Sequence, residues 1–225
     1  MKNYLHKEYE NLITVDVVCR GVPSPGVWKK YTDYLKQKGK LSSVRFRDKS
    51  LGYQYSTMEV VYKDGKIERN GMESDQWLRM FFSGMILRPS CPTCNFRSVE
   101  RCSDFTIWDC FNVSDLTKEL DETKGATRML IHTKRGQEIF NEIRDRFYVV
   151  DADVKTVAVG ITEKPDFNKK KYEFIQDYNK LSMEELLNKW FPMTFKVKAK
   201  KLVRRMLNGM GLDMVVKKLK RKIGG

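Results

Sequence analysis

The segment Leu12-Ile13-Thr14-Val15-Asp16-Val17-Val18 constrains this chain more than any other. It is short, β-branched and apolar at almost every position, the pattern of a strand covered on both faces. The run stops at Cys19. After Gly21, Val22-Pro23-Ser24-Pro25 supplies a helix start, with Ser24 able to cap and Pro25 at the first helical position, where its missing N–H costs nothing. Val27, Trp28, Tyr31 and Leu35 then share one helical face. Strand, cysteine loop and helix in that order make an α/β unit and set Cys19 at the carboxyl end of a strand, where such folds tend to build sites.

The rest of the chain extends this into a mixed α/β fold, a mixed sheet with flanking helices and a basic helical C-terminal tail. Residues 41–47 and 53–62 read as strands, the second followed by the hairpin signal Asp64-Gly65 and by Lys66-Ile67-Glu68. Ser74 is placed to cap a helix whose Trp77, Leu78, Phe81, Phe82 and Met85 recur at helical spacing, a pattern that serves a core before it serves a cofactor. Phe105-Thr106-Ile107-Trp108 and Arg128-Met129-Leu130-Ile131 read as strands, and Ile139, Phe140, Ile143 and Phe147 as a helix face. Beyond Val150 the pattern weakens, apart from a capping box at Ser182-Met183-Glu184-Glu185. The expected organisation is a domain over 1–150, a helical extension over 151–195 and a basic amphipathic tail over 196–225, without internal repeat.

The formal charge of +14 suggests nucleic acid until its distribution is considered. From Lys196 to Lys222 basic residues face only one acid, Asp213, so this stretch holds +10 of the +14 and the body is ordinary. No specific nucleic-acid function is expected. Leu202, Val203, Met206, Leu207 and Met210, a break at Gly209 and Gly211, then Leu212, Val215, Val216, Leu219 and Ile223 describe two short basic amphipathic helices. Such helices either pack their apolar stripe on the body or lie on an anionic membrane surface or a partner. No apolar run reaches the roughly 18 residues a bilayer span needs, and nothing resembles an export signal. The expected location is cytoplasmic, peripheral to the inner membrane face.

Five cysteines in a reducing compartment read as thiols, metal ligands or catalytic groups before disulfides. Cys91-Pro92-Thr93-Cys94 is the sharpest local feature, because two cysteines three positions apart in a proline-bounded turn can aim both sulfurs at one metal. One such pair supplies half of a four-thiolate shell, and Cys19, Cys102 or Cys110 are the remaining thiols. A structural pair and a redox dithiol remain open, although a dithiol of the thioredoxin type wants its first cysteine at a helix N-terminus. Cys19 alone reads as an ordinary strand-end cysteine, His132 as a structural histidine, and Ser103-Asp104 as a turn or cap. There is no Gly-x-Gly-x-x-Gly and no Ser/His/Asp arrangement.

Order changes the weights. Val15-Asp16-Val17-Val18-Cys19-Arg20-Gly21-Val22-Pro23-Ser24-Pro25, then Phe46-Arg47-Asp48-Lys49-Ser50 with Gly52, then Leu87-Arg88-Pro89-Ser90-Cys91 to Cys94, then Arg101 to Asp109, resemble the C-terminal domain of the coenzyme F420 hydrogenase/dehydrogenase beta-subunit family. The likeness covers roughly the first 150 residues, and its Ser-Asp-Phe-Thr stretch is similar to the bacterial branch found with polysaccharide synthesis. It implies an FAD and 4Fe–4S oxidoreductase component moving electrons between a hydride carrier and one-electron carriers. By the same resemblance, Cys19, Cys91 and Cys94 match cluster-ligand cysteines, and Ser103 and Asp104 match a flavin-adjacent loop. Family members ordinarily carry upstream ferredoxin-like cysteine motifs and a Thr-Pro-Cys-Gln element, and this sequence starts after them. The implied partner is therefore a redox protein or a ferredoxin-like portion. The rival expectations are a cofactor-free accessory protein that keeps the fold and a structural-zinc nucleic-acid module.

Overall fold

The computed structural model describes the chain apart from residues 1–3, 5, 8, 51, 54–55, 111–112, 118–124, 159, 162–167 and 210–225. In chain order its elements are β1 (Val15–Val17), α1 (Pro25–Lys38), β2 (Leu41–Asp48), β3 (Thr57–Tyr62), β4 (Ile67–Gly71), α2 (Gln76–Phe82), β5 (Phe105–Asp109), α3 (Val113–Leu116), β6 (Thr127–Ile131), α4 (Lys134–Ile143) with a 3-10 turn (Arg144–Arg146), α5 (Val154–Val157), α6 (Lys171–Lys180), α7 (Met183–Trp190) and α8 (Phe195–Gly209). The fold is mixed α/β. It divides into two compact units that interleave along the chain: Met1–Arg20 with Thr93–Lys164, and Gly21–Pro92 with Pro165–Gly225.

In the first unit the sheet runs β1-β5-β6, with β1 parallel to β5 and β5 antiparallel to β6. The expected strand over Leu12 to Val18 is corrected here. Only Val15–Val17 form β1, which lies at the sheet edge with Val15 and Val17 more than half exposed and Asp16 turned to the covered face. A continuous apolar run cannot distinguish an edge strand from a central one, because the neighbour that decides it is ninety residues away. Helix α4 starts close against Asp104 and Ile131 of this sheet and its approach. Thr133 caps it by accepting the Gly136 N–H at 2.9 Å, and Phe140 is buried beneath it. The helix ends at Ile143, and Phe147, expected on its apolar face, is 60% exposed beyond the 3-10 turn.

Gly136 is where the helix comes closest, since a Cβ there would stand 2.9 Å from the Asp104 carbonyl oxygen and 3.2 Å from Ile131 Cγ2. Alanine is the better helix former by about 1 kcal/mol, but crowding a fixed backbone oxygen costs about 1–3 kcal/mol. Gly136→Ala is therefore expected to lower the melting temperature; an unchanged or higher value would show that α4 can lift away freely.

The second unit holds the main core. Antiparallel strands β2-β3-β4 place β3 centrally, and all its residues but Val61 are buried. The β3–β4 hairpin turns where Asp64-Gly65 predicts it, with Gly65 at φ 86°, a conformation that favours glycine. Val27, Tyr31 and Leu35 of α1, Trp77, Leu78 and Met80 of α2, Phe174 of α6 and Leu186 and Leu187 of α7 pack with Met58, Val60 and Tyr62 of β3. Trp28 meets Trp77 edge-on at 4.7 Å between ring centres.

Two helix starts differ from expectation. Ser24 stands at the N-terminus of α1, with Pro25 in its first turn, but makes no side-chain cap bond. Helix α2 is capped by Asp75 rather than Ser74, the Asp75 carboxylate accepting the Leu78 N–H at 2.9 Å. The Ser182–Glu185 capping box on α7 forms in both directions. The first tail helix is α8; the second, expected over 212–223, lies outside the described residues. Among the described residues no helix is long and apolar enough to cross a membrane.

Candidate functional site

Each unit carries part of the cysteine set. In the first, Val18 N–H donates to the Ile107 carbonyl at 3.2 Å, extending the β1–β5 contact to the residue before Cys19, which is exposed. Arg97, three residues after the half-buried Cys94, donates through Nη2 to the carbonyls of Cys19 and Arg20, both at 2.8 Å. One guanidinium thus holds the loop that follows Cys94 to the end of the Cys19 strand.

In the second unit, Cys91 is buried and its Sγ accepts the Val22 N–H at 3.2 Å. A bridge pairs Pro23 with Leu87, and Arg88 N–H donates to the Val22 carbonyl at 2.8 Å, so the Val22-Pro23 segment is laced to the approach to Cys91. Lys171 of α6 is buried beside them, its Nζ donating to the Leu87 carbonyl at 2.5 Å. Burial pulls the Lys171 ammonium below the usual lysine range, and a charged Cys91 would push it back up.

The donor chemistry suits iron or zinc, but the shell is incomplete. Among the described residues no group of three or more His, Cys, Asp or Glu stands where it could hold a metal ion. Cys102 is exposed and Cys110 buried, both in the first unit.

Ser103 and Asp104 lie at the entry to β5, and both are buried. The Asp104 carboxylate accepts from Thr14 N–H at 2.8 Å, from Thr14 Oγ1 at 2.7 Å and, through its other oxygen, from Thr133 Oγ1 at 2.7 Å. Its carbonyl accepts the His132 N–H at 3.0 Å. Asp104 therefore pins the start of β1, the end of β6 and the cap of α4 to one point. Ser103 Oγ donates to Asp16 Oδ2 at 3.0 Å, and Arg101, its side chain almost wholly buried, stands with Nη1 at 3.2 Å from Asp16 Oδ1. That second contact is a charge pairing, and Oδ1 has no hydrogen-bond partner among the described residues.

Asp16 and Thr106 are register partners, and Thr106 Oγ1 meets His132 Nε2 at 2.8 Å, so a buried polar cluster spans β1, β5 and the end of β6. Burial is the main influence lowering the His132 pKa; Asp16 opposes it and Arg101 adds to it. Trp108, two residues along β5 from Thr106, buries its Nε1 without a hydrogen-bond partner among the described residues.

Chemically this face offers a fixed carboxylate–guanidinium pair, an imidazole biased toward neutrality, and an indole donor without a partner among the described residues. Asp16, Arg101 and Thr106 were not singled out from sequence, although a lone carboxylate inside the apolar run of residues 12–18 was a usable signal. Lys171 left none.

Neither a curated protein nor a solved structure matches the chain. A family model that describes the carboxyl-terminal part of the coenzyme F420 hydrogenase/dehydrogenase beta subunit matches residues 1–156, which takes in Cys19, Cys91, Cys94, the Asp104 anchor and the whole polar cluster. With more than half of its length so matched, the chain belongs to this family and is a redox component of the hydrogenase/dehydrogenase beta-subunit type.

Proposed function

We propose that this protein is the electron-transferring part of an FAD and iron–sulfur oxidoreductase, exchanging electrons between a hydride-carrying donor and one-electron carriers. The observation that carries this reading is the family match over residues 1–156, inside which all three matched cysteines fall. Cys19, Cys91 and Cys94 are the proposed ligands of a 4Fe–4S cluster, with the remaining iron corner held by another cysteine, by solvent or by a redox partner protein. FAD supplies the conversion of a two-electron hydride into single electrons. Beside it, Ser103 and Asp104 would form the wall. Since both side chains are bonded inward, they would act by holding the loop's shape. A cytoplasmic site at the inner membrane face and a role in polysaccharide synthesis belong to the same proposal.

Anaerobic reconstitution of the full chain tests it. The expected product is brown, with absorption near ~400 nm from thiolate-bound iron, and a separate yellow component where FAD is retained. Cys91→Ser and Cys94→Ser should abolish iron binding and Cys19→Ser should reduce it strongly, with a smaller effect from Cys110→Ser. Tight stoichiometric zinc without iron would favour a structural site, and a colourless, metal-free protein would favour the accessory role.

A further inference from the structure

Helix α8 is amphipathic in the opposite sense to a packed surface helix. Phe195, Ala199, Leu202, Val203 and Met206 recur at intervals of three and four, and so share one face. Apart from the half-buried Ala199, that face points outward. Phe195 is 87% exposed, and Leu202, Val203 and Met206 are each more than half exposed. The opposite face, Val197, Lys201 and Arg204, is the half-buried one. Arg204 pairs with the Glu73 carboxylate, and Lys201 lies in the field of Glu68, Glu73 and Asp75. The helix is therefore held to its own unit by basic residues against acidic ones, with its apolar stripe left outside.

What covers the stripe is indicated by its borders. On the helical wheel Lys198 and Arg205 flank it on one side and Lys196 and Lys200 on the other, all exposed. A second copy meeting it stripe to stripe would press these rows of like charge together, and nucleic acid would have no use for the apolar centre. An anionic bilayer satisfies both, with acyl chains receiving the stripe and headgroups the two basic rows.

We propose that α8 is a membrane-docking helix, lying in the plane of an anionic bilayer surface with Phe195, Leu202, Val203 and Met206 inserted and Lys196, Lys198, Lys200 and Arg205 at headgroup level. This deepens the inner-membrane-face part of the proposed function and is independent of its cofactor part. The further basic residues Lys217, Lys218, Lys220, Arg221 and Lys222 follow in the sequence and add to the attraction.

The test uses the full chain, free of iron and flavin, floated with phosphatidylcholine vesicles with or without phosphatidylglycerol. Binding is expected only to the anionic vesicles. The combined Phe195→Ser, Leu202→Ser and Met206→Ser variant should bind about tenfold more weakly or worse, because apolar insertion and charge are both needed for firm interfacial binding. All three positions are exposed, so far-ultraviolet circular dichroism should be unchanged. Should the triple variant misfold, Phe195→Trp provides a second readout, its added indole emission shifting blue with anionic vesicles. The proposal is overturned if the full chain ignores anionic vesicles, if the serine variant binds as well as the parent, or if the added emission of the Phe195→Trp variant does not move. It is equally overturned if the parent is a dimer by light scattering that the serine variant dissociates, since the stripe would then be a self-association surface. Loss of iron binding in any cysteine variant leaves this outcome untouched.

Discussion

Asp104→Ala is expected to cost about 3–5 kcal/mol of stability, a large share of what a domain of this size possesses. The carboxylate gathers Thr14 N–H, Thr14 Oγ1 and Thr133 Oγ1. Alanine would leave three donors facing a gap, and each buried donor left unpaired costs about 1–3 kcal/mol before relaxation. Asp104→Asn keeps an acceptor oxygen and the volume, so it should lose roughly half as much. Urea denaturation followed by circular dichroism gives both values. A loss below about 1 kcal/mol for the alanine variant would mean that water replaces the carboxylate, and that Asp104 is free for another task.

The second large effect is a pH dependence from Asp75. Burial raises this carboxyl to about 7, against the opposing pull of the Leu78 and Trp77 N–H groups and Lys201 and with a further push from Glu68. Below about pH 4 the folded and unfolded chains both hold the proton, and the group is neutral in the balance. Between about pH 4 and 7 the unfolded chain ionises while the folded one does not, so stability falls by about 1.4 kcal/mol per unit. Above about pH 7 both have ionised and the penalty is constant, at most about 4 kcal/mol. Asp75→Asn still caps α2 but carries no such penalty. It should match the parent near about pH 4 and exceed it by roughly 1–4 kcal/mol at about pH 8. Denaturation curves for the two proteins that stay parallel across this range would refute the assignment. Lys201, whose charge opposes the rise at Asp75, is itself held below the usual lysine range by burial and by Arg205, against Glu68, Asp75 and Glu73.

Local chemistry was readable from the residues wherever the deciding partners lie close in sequence. The Asp64-Gly65 hairpin, the Ser182–Glu185 box and the strand that starts at Phe105 are all set within a few residues. Where the partner is remote, the reading was wrong or left undecided. The edge position of β1 depends on β5, and the outward turn of the α8 stripe depends on Glu73, more than a hundred residues earlier. Amphipathicity says that a helix has two faces and is silent on which one the rest of the molecule holds. At the candidate site, motif order marked the cysteines and the Ser103-Asp104 loop, which stand as proposed site residues. Lys171 was not so marked, because nothing in a lysine-rich stretch marks the one residue whose ammonium turns inward to the Leu87 carbonyl.

The interleaving of the two units has a consequence for how the chain is made. Leaving the ribosome, Met1–Arg20 must wait while all of Gly21–Pro92 emerges before Thr93 onward can complete the first unit. Strands β2 to β4 must in turn wait for α6 and α7, which bring Phe174, Leu186, Leu187 and Phe191 to their core only after the first unit is finished. Closing such long loops is a modest entropic cost but a slow search. During that interval the core built by α1, α2 and the β2–β4 sheet lacks the cover that Phe174, Leu186 and Leu187 supply. A chain cut between Lys164 and α7 would therefore yield a first unit able to form and a second that leaves part of its apolar core open to chaperones and proteases.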